Sequence, residues 1–290
     1  MRSSILVAAT TLLCIGTAGA QPALLQVAAL QPPAWIDRDG QREALRPGSG
    51  IRPGDRLETG DGGRLQLEFD DGSVLQLGER SRLVLEELAV AGDAATDGAL
   101  RGRLSLPQGQ LRFSGDPMRP PEIGLAVGQL QLRLGDSDLW AAAQGPRDLA
   151  CLLQGNAEAT GSPSPSTPLH AGQPCVVALD GGAAEPAPTG DAVIAAALAQ
   201  TETNPAQASL RQDGRYRVVL ASVGTPPQAD REVARLGELG YPLDVLPQPA
   251  EGQTRYRLVI GGLPDHAQAR RLVLALKQRL GVTGWVLVPE

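Results

Sequence analysis

Arg215-Tyr216-Arg217-Val218-Val219-Leu220 and Arg255-Tyr256-Arg257-Leu258-Val259-Ile260 are two copies of one short segment. Their β-branched and aromatic content, with polar residues at alternate positions early in each copy, predicts a strand. Each copy leads into a helical pattern. Over Pro226 to Leu239, Ala229, Val233 and Leu236 fall at i, i+4 and i+7 on one face, and Gly240 stops the helix. From Asp265 to Leu280, Ala269, Leu272, Val273, Leu276 and Leu280 form the inward stripe, and Gly281 stops it. Leu243 to Leu246 and Trp285 to Val288 supply two more strands. The order β-α-β-β-α-β predicts an antiparallel sheet with both helices on one face. Tyr216, Val218, Leu220, Tyr256, Leu258 and Ile260 then point at the helices. Arg217, Val219, Arg257 and Val259 occupy the helix-free face, as a ligand surface or as a solvated one.

Upstream, the pattern changes to period two. Arg64-Leu65-Gln66-Leu67-Glu68-Phe69 alternates polar and apolar, Val74-Leu75-Gln76-Leu77 does so roughly, and Asp70-Asp71-Gly72-Ser73 between them predicts a tight hairpin turn. Arg82 to Glu86, Leu100 to Leu106, Gln110 to Ser114, Gln129 to Leu134, Asp138 to Ala143 and Leu149 to Gln154 continue the series. Short strands punctuated by Gly, Pro or Asp predict an all-β unit over residues 21–180, a sandwich, barrel or solenoid. Ser162-Pro163-Ser164-Pro165-Ser166-Thr167-Pro168 interrupts it as an extended polar loop. Residues 181–213 are rich in Gly, Ala, Pro and Thr and read as a linker, with Asp191 to Thr201 as a short helix inside it. The α+β module takes residues 214–290. The fold class is therefore multidomain: all-β followed by a ferredoxin-like βαββαβ unit.

Met1-Arg2, the apolar Ile5 to Ile15 and Ala18-Gly19-Ala20 have the layout of a secretory signal peptide over residues 1–20, with the mature chain starting at Gln21. That apolar run falls short of the roughly 20 residues a membrane span needs, although an uncleaved anchor is the alternative. Cys14 follows Leu13, where a lipoprotein signal would want Gly or Ala. No later segment has the pattern of a membrane helix. Export leaves Cys151 and Cys175, an even pair that either forms a disulfide or stays as two buried thiols.

The net charge of -6 gives no bulk attraction to nucleic acid. The two histidines, His170 and His266, lack a nucleophile or carboxylate at motif spacing. Asp70-Asp71 could hold a cation, but the Gly72 that follows favours a turn. No phosphate loop, zinc spacing or dinucleotide fingerprint is present. The expectation is a binding protein without cofactor or metal, not an enzyme.

Two resemblances sharpen this. Tyr216-Arg217-Val218-Val219-Leu220-Ala221-Ser222-Val223 and Tyr256-Arg257-Leu258-Val259-Ile260-Gly261-Gly262-Leu263, each followed by its helix, resemble the SPOR domain repeats. The resemblance implies binding to peptidoglycan, above all to glycan strands stripped of stem peptides, in the periplasm and at division septa. It implies a glycan surface at Arg217, Val219, Ser222, Arg257, Val259 and Trp285. Val219 and Val259 replace family positions that are usually polar, which removes hydrogen-bonding partners for a sugar and makes a protein partner on an apolar face the competing reading. Trp285 could stack on a sugar or pack beneath a helix. Leu45-Arg46-Pro47-Gly48, Gly54-Asp55-Arg56-Leu57-Glu58-Thr59-Gly60 and the strand through Asp70-Asp71-Gly72-Ser73 resemble a FecR-type domain. That family includes relays from outer-membrane receptors to sigma factors. With neither a membrane helix nor a cytoplasmic segment expected after Gln21, the β domain is expected to bind another envelope partner instead, a periplasmic signalling component being the alternative.

Overall fold

Alternation of polar and apolar residues builds the N-terminal half into strands with one buried face. In the computed structural model, the described residues are 23–90, 99–161, 167–171, 175–179, 185–187, 189–250 and 252–287. The expected signal peptide and most of the Ser/Pro loop lie outside them. The first strands are β1 (Leu25–Gln31), β2 (Ala34–Arg38), β3 (Gln41–Ala44), β4 (Arg56–Thr59), β5 (Arg64–Phe69), β6 (Val74–Leu77), β7 (Arg82–Val90) and β8 (Leu100–Ser114). They continue as β9 (Glu122–Val127), β10 (Leu130–Leu134), β11 (Asp138–Ala143), β12 (Arg147–Gln154), β13 (Asn156–Gly161), β14 (Thr167–His170), β15 (Cys175–Leu179) and β16 (Glu185–Ala187). Helix α1 (Asp191–Thr201) and β17 (Leu210–Arg211) follow. The C-terminal module is β18 (Tyr216–Val223), α2 (Pro226–Glu238), β19 (Asp244–Ala250), β20 (Gln253–Leu263), α3 (His266–Leu280) and β21 (Trp285–Leu287).

The β half forms two sheets. One runs β17-β1-β5-β6-β8-β11-β12-β15-β16. The other runs β3-β2-β4-β7-β8-β9-β10-β13-β14. Strand β8 belongs to both. Its first part pairs with β7 and β9, and the part from Gly109 onward pairs with β6 and β11. Gly109 has φ 97°, and a Cβ there would lie 2.2 Å from Ser81 Oγ, so only glycine fits this corner. Pro107-Gln108-Gly109 thus bends one strand from sheet to sheet. It does not separate two strands, as alternation alone suggested. Inward residues of both sheets share one core, with Phe69 and Phe113 edge-to-face at 6.2 Å.

Helix α1 lies on the outside of the first sheet. Its Ala197 packs with Trp140, Ala142, Cys151 and Cys175, and the two cysteines are joined by a disulfide. Covering both faces of β11 explains why Leu139 to Ala143 is apolar without alternation. Part of the expected linker is therefore structured: α1 packs on the sheet, and β17 pairs with β1.

The residues that resemble a FecR-type run are used internally. Asp55 is buried and receives Nε and Nη2 of Arg38 at 2.8 and 2.6 Å, and its Oδ2 accepts the Arg52 amide at 2.7 Å. The pairing raises the Arg38 pKa above its ordinary value. Thr59 Oγ1 donates to Gly78 O at 2.6 Å and accepts the Ser81 amide at 3.0 Å. Asp71 Oδ1 accepts the Ser73 amide at 2.8 Å, which makes Asp70–Ser73 the hairpin turn.

In the C-terminal module the sheet order is β19-β20-β18-β21, all antiparallel. Asp265 caps α3 by accepting the Gln268 amide at 2.8 Å, and Gly281 ends it in the left-handed region. No helix among the described residues is long and apolar enough to cross a membrane.

Candidate functional site

The helix-free face of this sheet follows from register. Val219 lies opposite Val259 on one side and Trp285 on the other, and Val259 lies opposite Asp244. Directly opposed residues share a face. Asp244, Val259, Val219 and Trp285 therefore form one row across four strands. Leu246, Arg257 and Ser222 form the next row, and Gln248 and Arg255 a third. Arg217 flanks the first row on the other side. All six residues expected from sequence lie on this one face.

Ser222 is there because of a bulge. Strict alternation from Arg217 would turn Ser222 inward. A register shift between Val219 and Ala221 puts Ala221 opposite core Leu258 and returns Ser222 to the outer face opposite Arg257. Asp244, Leu246, Gln248 and Arg255 complete the face. Asp244, Leu246 and Gln248 belong to β19, whose faces local alternation does not assign, and Arg255 lies opposite Gln248 at the start of β20.

Two expectations need correction. Val219 and Val259 do not present an exposed apolar surface: they are 0% and 1% exposed. Arg217, Arg257, Asp244 and Trp285 flank them on the same face, and the buried valines form its floor. Trp285 is not a core residue beneath a helix; it is 50% exposed. It belongs to the short edge strand and shares Val219's face, opposite the helices. The groups that meet solvent are thus the exposed Arg217 and Arg255, half-buried Arg257, Ser222 and Gln248, exposed Asp244 and the indole. The tyrosines of the repeat, Tyr216 and Tyr256, pack partly buried against the helix-side core, as their alternation predicts.

The helix side docks on the β half. Trp35 Nε1 donates to Gly237 O and Glu238 O at 3.2 Å, and the Ala34 amide donates to Gly240 O at 3.3 Å. Gly240 has φ 76°, and a Cβ on it would lie 2.7 Å from Pro33 Cβ. Arg279 Nη1 donates to Asp61 O at 3.1 Å. At the sheet's edge, Arg46 pairs with Asp244 and donates to Leu243 O.

Elsewhere, an open groove of about 1030 Å³ runs between β9, β10, β13 and β14, with Glu122, Arg133, Asn156, Glu158 and His170 among its walls. His266 opens α3 and packs edge-on to Tyr216 at 6.4 Å. No group of three His, Cys, Asp or Glu side chains among the described residues is arranged to hold a metal ion.

Comparison with known proteins follows this division. Residues 212–287 match the family model described as SPOR domain, and residues 55–158 match the one described as FecR protein. No curated protein matches the chain. Two solved structures described as a candidate anti-sigma factor from Parabacteroides distasonis ATCC 8503 are similar at a TM-score of 0.36 each. They are 13% and 11% identical and cover 79% and 78% of this chain and 98% and 91% of their own. At that TM-score the likeness carries no weight for fold or function. The family matches do, and the chain joins a FecR domain to a C-terminal SPOR domain.

Proposed function

We propose that this is a non-enzymatic periplasmic protein whose SPOR domain binds peptidoglycan glycan strands, preferring those without stem peptides, through the helix-free sheet face. Export by residues 1–20 and enrichment at the septum belong to the same reading. So do a sandwich-like FecR domain over residues 21–180, a partly structured linker over 181–213 and a ferredoxin-like SPOR domain over 214–290. The FecR domain serves as a second docking module for an envelope partner, and its groove between β9 and β14 is a surface suited to that.

The observation that carries the proposal is the half-exposed Trp285 beside arginines over a buried valine floor. An indole offers the apolar face on which a sugar ring stacks, and guanidinium groups donate to hydroxyl and carboxylate oxygens. Losing polar residues at positions 219 and 259 matters less when both side chains lie beneath the contact surface. The competing reading, a protein partner on an apolar sheet face, rested on exposed valines and loses that support. Pelleting the purified chain with isolated sacculi tests the proposal. Retention should rise when an amidase has stripped the stem peptides, and retention no greater than that of an unrelated control protein would sink it.

A further inference from the structure

We propose that the glycan surface is shared between the domains, with Arg46 of the FecR domain supplying a guanidinium for a carboxylate on the sugar. This rests on the reading of the sheet face just given. Arg46 lies between β3 and β4 in Leu45-Arg46-Pro47-Gly48 and reaches across the domain boundary to pair with Asp244, the first residue of the row that ends at Trp285. Beside Asp244 the face carries no side chain at Gly261: a Cβ there would meet Arg217 Cγ at 3.8 Å and Asp244 Oδ2 at 3.9 Å, ordinary van der Waals contact, so the two side chains flank a bare stretch of backbone. Arg46, Asp244 and Arg217 thus surround a spot on the face that has no side chain of its own.

The pair is available for exchange. The Arg46 and Asp244 side chains are 45% and 53% exposed, and an ion pair that wet adds little to stability. A ligand carboxylate that takes the guanidinium in the bidentate geometry arginine favours replaces this exposed pairing together with the hydrogen bond to Leu243 O. N-acetylmuramic acid carries such a group. Its lactyl carboxylate is free when the stem peptide has been removed and is a neutral amide when the peptide is attached. Three strand spacings separate Asp244 from Trp285, roughly 14 Å, room for more than one sugar ring between the aromatic end and the cationic end.

The test uses the full chain and amidase-treated sacculi. Arg46→Ala should weaken binding roughly tenfold, the worth of one charge-assisted hydrogen bond. Asp244→Asn should bind as well as the unsubstituted chain or better, because it frees Arg46 without removing it. Amidating the glycan carboxylates should erase the difference between Arg46→Ala and the unsubstituted chain. Equal losses in Arg46→Ala and Asp244→Asn would reduce the pair to a domain contact and overturn the inference. So would unchanged binding by Arg46→Ala, or a difference that survives amidation. In each of those cases, weakened binding by Trp285→Ala would leave the sheet-face reading standing. If the unsubstituted chain is not retained, both fail together.

Discussion

Val219 and Trp285 sit opposite each other on neighbouring strands, yet burial gives them different work. Truncating Val219 to Ala removes buried methyl groups and should cost about 2 kcal/mol of stability, with glycan retention close to normal once folding is ensured. Truncating Trp285 to Ala should do the reverse: retention falls several-fold while the urea midpoint moves little, since half of that side chain already meets water. Urea unfolding and sacculus pelleting on both variants decide this, and the opposite assignment of losses would refute the floor-and-contact picture. Tyr241 offers a pH readout at the domain junction. Burial raises its pKa above the ordinary tyrosine value, partly countered by Arg279. A raised folded pKa means the native state holds the proton more tightly than the unfolded chain does. The resulting stability is present below the ordinary tyrosine pKa and is lost as pH rises through the folded value. The difference between the ultraviolet titrations of the chain and of its Tyr241→Phe variant should show a phenol ionising above the ordinary tyrosine range, accompanied by loss of stability. An ordinary titration in that difference would show that Tyr241 is not buried as described.

At the scale of elements, the disulfide and α1 act together. Cys151 and Cys175 are 24 residues apart and lie under Ala197 of the helix. Replacing both with Ala should cost about 3 kcal/mol, as expected for releasing a loop of that length. It should also speed hydrogen exchange in α1, whose packing surface they form. Unchanged exchange in α1 would mean that the helix is held by other contacts, such as Arg112 with Glu202. Which elements could be read from sequence follows from how local their causes are. The bounds of β5 and β6 are legible because alternation and the Asp-Asp-Gly-Ser turn are local signals. The helices of the SPOR domain are legible from their apolar stripes and glycine stops. The unity of β8 is not, since it depends on Gly109 turning a corner against Ser81, a residue far away in sequence. β1 is equally opaque: a register shift between Val27 and Ala29 breaks its alternation and sets Leu30 opposite Leu65, and Gln31 is itself buried, exchanging two 2.8 Å hydrogen bonds with the backbone of Asn204. The candidate site was half legible. Repeat spacing placed Arg217, Val219, Arg257 and Val259 on one face. The bulge that brings Ser222 to this face, and the burial of the two valines, are properties of the assembled sheet.

Across the whole molecule, the N-terminal β half grips the helix side of the SPOR domain and leaves the opposite sheet face outward, apart from the edge at Asp244. Trp35 is central to that grip. Its indole nitrogen serves two carbonyls near the end of α2, its ring packs against Gly240, and Arg42 lies over the ring at 4.5 Å. Trp35→Ala should cost about 3 kcal/mol and split one cooperative melt into two, as the SPOR domain comes free. A single transition would show that the remaining contacts suffice for docking. The same variant probes the shared glycan surface. Arg46 reaches the sheet only while the domains are docked, so undocking should lower glycan retention to the level of Arg46→Ala and no further. Substitutions that act through one contact are not additive, and the Trp35→Ala/Arg46→Ala double variant should therefore bind no worse than Arg46→Ala alone. Additive losses would place Trp35 on a separate route to the ligand and break the link between docking and recognition.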